Sequence, residues 1–199
     1  RVCSKNSGEI DECCDWATGL ARQDNADWFV WDGDGMGCTL KRQVDSALEG
    51  KRVDYSMFKG SEGVDDPELE YSDIGSSDMS KRKTNKEAFK NKRAQYYLKL
   101  AQRFYNTYRA VEKGEYVDPD EMISLSSDIK CIDQIRSEVC RIPRKRNNNG
   151  KIQIMSKLEM AKKPYELPSP NMADAMMMAM FSPQVAKKKA KKINFQGWG

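Results

Sequence analysis

Two short apolar runs set the frame of this chain. Ala26–Trp31 (ADWFVW) and Arg52–Phe58 (RVDYSMF) are rich in aromatic and β-branched residues, and each has the length of a strand. Between them lie a Gly-rich turn and the segment Cys38–Leu48, which puts Leu40, Val44 and Leu48 along one side of a helix. Gly50 follows, where a glycine commonly closes a helix. Strand, helix and strand at this spacing predict a βαβ unit, with adjacent parallel strands joined by a right-handed crossover.

Helices and a ribbon are predicted around this unit. Glu9–Gln23 repeats Ile10, Cys13, Cys14, Ala17, Leu20 and Ala21 at three- and four-residue spacing, as an amphipathic helix does. From Gly60 to Thr84 the chain turns acidic and rich in Ser and Gly, which predicts a mobile loop long enough to be functional. A long helix is expected from Lys86 to Val111, with Phe89, Tyr96, Tyr97, Leu100, Phe104 and Tyr108 facing the core. A capped short helix or turn at Asp118–Asp120 and a helix over Ile129–Cys140 come next. Asn147-Asn148-Asn149-Gly150 marks the turn of a two-stranded ribbon, Arg141–Arg146 with Lys151–Met155, basic on one arm. Lys157–Lys163, stopped by Pro164, and Asn171–Phe181 are the last predicted helices. One domain over residues 1–182, followed by a disordered Lys-rich tail over 183–199, is the expected organisation.

Composition narrows the chemistry. The 199 residues include 34 Lys and Arg, 30 Asp and Glu, and no His. Four Trp, eight Tyr and six Phe are too many for a wholly disordered chain. No run reaches the roughly 18 apolar residues of a membrane-spanning helix, so no membrane association is expected. The five lysines between Lys187 and Lys192 exceed the net charge of +4, so the rest of the chain is slightly acidic. Glu62, Asp65, Asp66, Glu68, Glu70, Asp73 and Asp78 form an acidic stretch, and Lys81–Arg103 then holds nine bases against Glu87 alone. Such segregation suits a polyanion partner, although solvated basic faces give the same pattern. Cys3, Cys13, Cys14, Cys38, Cys131 and Cys140 lack metal-site spacing and read as reduced thiols of a cytosolic protein. Without His, any catalysis falls to carboxylates, Lys, Cys or a metal.

Asp32-Gly33-Asp34-Gly35-Met36-Gly37 stands where the first strand ends, the edge at which open α/β sheets assemble their sites. No phosphate-loop Lys-Ser/Thr follows it. These six residues alone favour an ordinary turn over a metal site. Asp174 is the second candidate, because it lies in the first turn of the apolar helix that carries Met176, Met177, Met178 and Met180. The Met run reads as core packing, and Asp174 reads as a buried carboxylate seeking a partner, or an Asp favoured by the helix N-terminus. Two such acids without a basic neighbour in sequence suggest shared ligation of Mg²⁺ or Mn²⁺, the hard cations that suit oxygen donors.

The stretches WDGDGMG, MFKGSE, FKNKRAQYYLKLAQRFYNTYRAVEKGEY and LPSPNMADAMMM, in this order over most of residues 9–181, resemble the nuclease domain of the large terminase subunit of tailed bacteriophages. The resemblance implies an α/β, ribonuclease H-like mixed sheet of five strands flanked by helices, with the β-ribbon added. It implies a metal-dependent endonuclease that cuts double-stranded DNA during genome packaging in the host cytoplasm. Three acids would hold two ions about 3.5–4 Å apart, and the second and third match Asp32 and Asp174. The first stands in the family on a strand before Glu9–Gln23, which leads us to expect a chain truncated at its start, inactive or nearly so alone. Asp34 and Asp11 do not match it. The acids, repelling one another, would leave the site disordered or partly protonated until metal arrives. An ATPase domain, the small terminase subunit and the portal are the implied partners in the complete protein. Lys90, Lys92, Arg93, Arg144, Lys145 and Arg146 are candidate phosphate contacts on charge alone. A non-catalytic DNA-binding or docking module, and another ribonuclease H-like nuclease such as a resolvase, are the alternatives.

Overall fold

The computed structural model describes residues 4–5, 8–71 and 83–181. Helix α1 (Ile10–Gln23) leads into strand β1 (Trp28–Asp32), a 3₁₀ segment (Gly35–Leu40), helix α2 (Lys41–Leu48) and strand β2 (Asp54–Phe58). β1 and β2 pair in parallel from Trp28 opposite Asp54 to Asp32 opposite Phe58, so the βαβ expectation holds. Gly50, at φ +70°, turns the chain out of α2. The predicted helix is divided, because Gly35–Leu40 winds as 3₁₀ before the α-helical part begins.

The parallel pair separates two cores. Phe29 and Trp31 of β1, with Tyr55 and Met57 of β2, pack on α1 and α2 around Cys14, Val44 and Leu48. Alternation along a strand turns Val30 and Asp32 to the opposite face. There Val30 and Phe58 meet the larger core, which Tyr96, Tyr97, Leu100, Ile154, Met160 and Met177 build. Full burial of each large side chain, such as Phe58 or Leu100, contributes about 1.5–3 kcal/mol. Among the described residues Cys14, Cys38, Cys131 and Cys140 carry free thiols.

Beyond β2 the chain departs from expectation in three places. Residues 60–71 are anchored: Glu70–Tyr71 (β3) pairs antiparallel with Lys83–Thr84 (β4). Gln95 accepts the Asp65 N–H at 2.8 Å, and Asn85 donates to the carbonyls of Asp65 and Asp66. The long helix is broken into α3 (Asn85–Ala88) and α4 (Lys92–Lys113). Phe89 leaves helical geometry to bridge Ile152, Lys90 N–H donates to the Ile152 carbonyl at 2.9 Å, and Asn91 caps α4 by accepting from Ala94 N–H at 3.1 Å. Periodicity is blind to such a break, since apolar residues keep their spacing across it. Tyr108, expected in the core, is 47 % exposed. The acidic positions Asp73 and Asp78, Lys81 and the Lys-rich tail lie outside the described residues.

A 3₁₀ turn (Pro119–Glu121) capped by Asp118 precedes helix α5 (Ile132–Cys140). The ribbon forms as expected from β5 (Arg144–Arg146) and β6 (Ile152–Ile154), antiparallel, with Gly150 at φ +73° in its turn. Helices α6 (Lys157–Met160) and α7 (Asn171–Ala179) complete the described chain. The central parallel sheet has two strands among the described residues, against the five that the resemblance implied. No helix among them is long and apolar enough to cross a membrane.

Helix α6 is set by a reciprocal cap. Ser156 Oγ accepts the Glu159 N–H at 3.2 Å, while Glu159 Oε2 accepts from Ser156 N–H (2.8 Å) and Oγ (2.9 Å). Lys145 of the ribbon holds the other Glu159 oxygen. The Lys145 bond first, and the Ser156 N–H second, lower the Glu159 carboxyl from about 4.5 to about 2. A depressed carboxyl stabilises the fold fully above its unfolded value and loses that effect as pH falls through its folded value. Glu159→Gln is therefore expected to melt below wild type at pH 6, with the gap narrowing between pH 4.5 and pH 2. Thermal melts across that range check it, and a gap independent of pH would contradict it.

Candidate functional site

Asp32 is the last residue of β1 and is exposed at the carboxyl edge of the parallel pair. Its Oδ1 accepts the Asp34 N–H at 2.9 Å, which bends the chain away from the strand. Gly33 N–H then donates to the Phe58 carbonyl at 2.7 Å, extending the ladder past the acid. Ser61, in the loop after β2, donates its N–H (3.1 Å) and hydroxyl (2.7 Å) to the Asp34 carboxylate, so the loops after both strands are tied together. The turn closes on Gly37, whose carbonyl accepts from Trp31 Nε1 at 3.0 Å. A Cβ at Gly37 would stand 1.7 Å from the Asp32 carbonyl oxygen, so only glycine lets this turn close on the acid's own peptide. Gly37 thus serves Asp32 through close approach.

Asp174 reaches the same place from the other core. Ala173, Asp174 and Met177 form the buried side of α7, and Asp174 is only 6 % exposed. A carboxylate so buried needs charge partners and donors. Arg93 Nη2 lies 3.1 Å and Tyr97 Oη 2.5 Å from Oδ1, both from the first turns of α4. Lys157, the first residue of α6, puts Nζ 3.0 Å from Oδ2 as an ion pair, and among the described residues no hydrogen bond completes that oxygen. Burial, and next the Asp174 charge, push the Tyr97 phenol well above its ordinary pKa, so it stays a donor to the acid. Asp174 is therefore held by the chain's own groups.

Asp32, Asp34, Arg93, Lys157 and Asp174 line one cleft of about 300 Å³. The residues converge from β1, α4, α6 and α7. Oxygen donors from two carboxylates, one of them with a buried oxygen lacking a hydrogen bond, are a donor set that fits a hard divalent cation. Among the described residues no group of three or more acids or thiols is placed to hold a metal ion.

Residues 54–181 match the family described as the terminase RNase H-like domain. The chain belongs to that family. It resembles the nuclease domain of the large terminase subunit gp2 of bacterial virus Sf6, at 45% identity and a TM-score of 0.83, covering 92% of this chain and 77% of that one. A lysine-to-alanine mutant of the same domain with manganese and β-thujaplicinol matches at 44% identity and a TM-score of 0.83, with the same coverage. A further mutant structure, with calcium, matches at 44% identity and a TM-score of 0.74, covering 88% of this chain and 74% of that one. No match was found among curated proteins.

The chain is thus a nuclease domain of the phage terminase large-subunit family, with a mixed α/β, ribonuclease H-like fold. Within this terminase domain the six candidate phosphate contacts are dispersed. Arg93 is committed to Asp174. Lys92 is largely covered and pairs with Glu62 (3.3 Å) and Asp65 (3.1 Å). Lys145 pairs with Glu159, and Arg146 donates to the Gly150 carbonyl at 2.8 Å. Lys90, Arg144 and Arg146 are exposed. Tyr97 and Lys157 went unnoticed in the sequence as site residues, because a tyrosine on an apolar helix face and a lysine after a serine cap carry no signal of their own.

Proposed function

We propose that Asp32 and Asp174 are ligands of the divalent metal through which this domain cuts double-stranded DNA during genome packaging. The observation that carries the reading is the meeting of these two acids, from separate cores, in one cleft. Its position at the carboxyl edge of parallel strands is where such sheets assemble sites. When bound, the divalent metal, Mg²⁺ or Mn²⁺ and two ions in the complete site, supplies an activated water and neutralises charge building on the phosphate.

The residues around it have separable tasks. Arg93 and Tyr97 hold one Asp174 oxygen, while the other faces Lys157 at the cleft wall. Met177, Met178 and Phe58 make the inner wall apolar, which keeps local electrostatics strong. Lys90, Arg144 and Arg146 supply exposed charge for sequence-tolerant phosphate contacts, whose affinity falls with salt. The relatives crystallised with manganese and with calcium support a divalent cofactor. An ATPase domain, the small subunit and the portal remain the partners proposed for the whole terminase.

Nicking of supercoiled plasmid tests the reading. With Mn²⁺ the large subunit carrying this domain is expected to convert supercoiled to open-circular and linear DNA, and EDTA is expected to stop it. Cleavage that persists in EDTA, or DNA binding without cleavage at any Mn²⁺ concentration, would overturn it.

A further inference from the structure

Helix α7 begins without a cap of its own. Pro170 offers no side-chain acceptor, and the Asn171 side chain is engaged with Ser169 Oγ at 2.8 Å. The unpaired N–H groups of a helix start still need acceptors. They find one in Glu138 of α5, a carboxylate only 4 % exposed. Glu138 Oε2 accepts the N–H of Met172 at 2.7 Å and that of Ala173 at 3.2 Å. Its Oε1 accepts from Gln134 Nε2 at 3.0 Å, so both oxygens are fixed. The two peptides it holds directly precede Asp174, whose own N–H makes a helical bond to the Pro170 carbonyl at 2.8 Å.

We propose that Glu138 is a positioning residue for the metal site: it clamps the first turn of α7 and so sets where the Asp174 carboxylate stands. The inference rests on the reading of Asp174 as a metal ligand. Glu138 touches neither the acid nor the cleft, and its effect passes through backbone alone. A buried glutamate facing a neighbouring helix start has an anion's natural place. In sequence it stands on the apolar side of α5, three residues after Ile135 and beside Val139, which is the one local sign of its burial.

The test compares Glu138→Gln, Glu138→Asp and Glu138→Ala with wild type and Asp174→Asn, reading Mn²⁺ binding by electron paramagnetic resonance. Glutamine keeps an acceptor at the same reach and is expected to bind Mn²⁺ within about twofold of wild type. Aspartate keeps the charge but withdraws the oxygen by one methylene. It is expected to weaken binding by about tenfold or more, the usual consequence of losing a group that orients a ligand. Alanine should do the same, and the aspartate variant answers the question if the alanine variant does not fold. The Mn²⁺ concentration for half-maximal nicking should rise in parallel, while the rate at saturating Mn²⁺ falls less. Wild-type Mn²⁺ affinity in Glu138→Asp, alongside lost binding in Asp174→Asn, overturns the positioning role. Unchanged binding in Asp174→Asn, or none in wild type, overturns the metal site itself.

Discussion

Asp32→Asn is expected to lower Mn²⁺-dependent nicking by about 100-fold or more while leaving the thermal midpoint where it was. A metal acting as Lewis acid contributes several kcal/mol to such a reaction, and each 1.36 kcal/mol is about tenfold in rate. Stability should be spared for two reasons. The residue is exposed, and substitutions at such positions stay within about 0.5 kcal/mol. Asparagine also retains the oxygen that accepts the Asp34 N–H, so the turn survives. Plasmid nicking and a thermal melt of one preparation check both halves. Undiminished cleavage would remove Asp32 from the site.

Asp174→Asn is expected to abolish cleavage as well, but with a different physical signature. The substitution takes the anion from between Arg93 and Lys157, whose side chains are 18% and 45% exposed. Breaking a buried pair costs about 3–5 kcal/mol. Partial exposure of both cations lets water answer some of that charge, which reduces the cost to about 2–3 kcal/mol. In a domain of this size that is a fall of roughly 5–10 °C in Tm. A melt indistinguishable from wild type would show that the cluster around Asp174 contributes nothing to stability. The contrast between the two acids is itself informative: one is expected to be replaceable without structural loss and the other is not.

How much of this was legible beforehand follows from the range of the interactions. Periods of two and 3.6 residues are local, and they mark β1, α2, β2, α5 and α7 to within a few residues. They also turn Asp32 and Val30 to the same face, once a strand is granted. Asp174 could be suspected because a charge on an apolar helix contradicts its surroundings. The partners of that charge could not be read. Arg93 and Tyr97 stand 81 and 77 positions away along the chain, and only the docking of α4 on α7 brings them together. Arg93 reads as a phosphate contact on charge alone, since a basic run looks the same whether its members face solvent or, as Arg93 does, a buried acid. The break at Phe89–Asn91 was hidden for a related reason: a backbone bridge to Ile152, far along the chain, outweighs the local preference for helix.

That break has a mechanical side. Phe89 and Lys90 fasten the ribbon strand β6 to the chain, and three residues later the same chain presents Arg93 to Asp174. Ribbon and acid are therefore joined by a lever a few residues long, with no slack helix between them. A push on the ribbon at Arg144 or Arg146 would reach the counter-ion of the acid directly. A ribbon on a free hinge would merely swing aside.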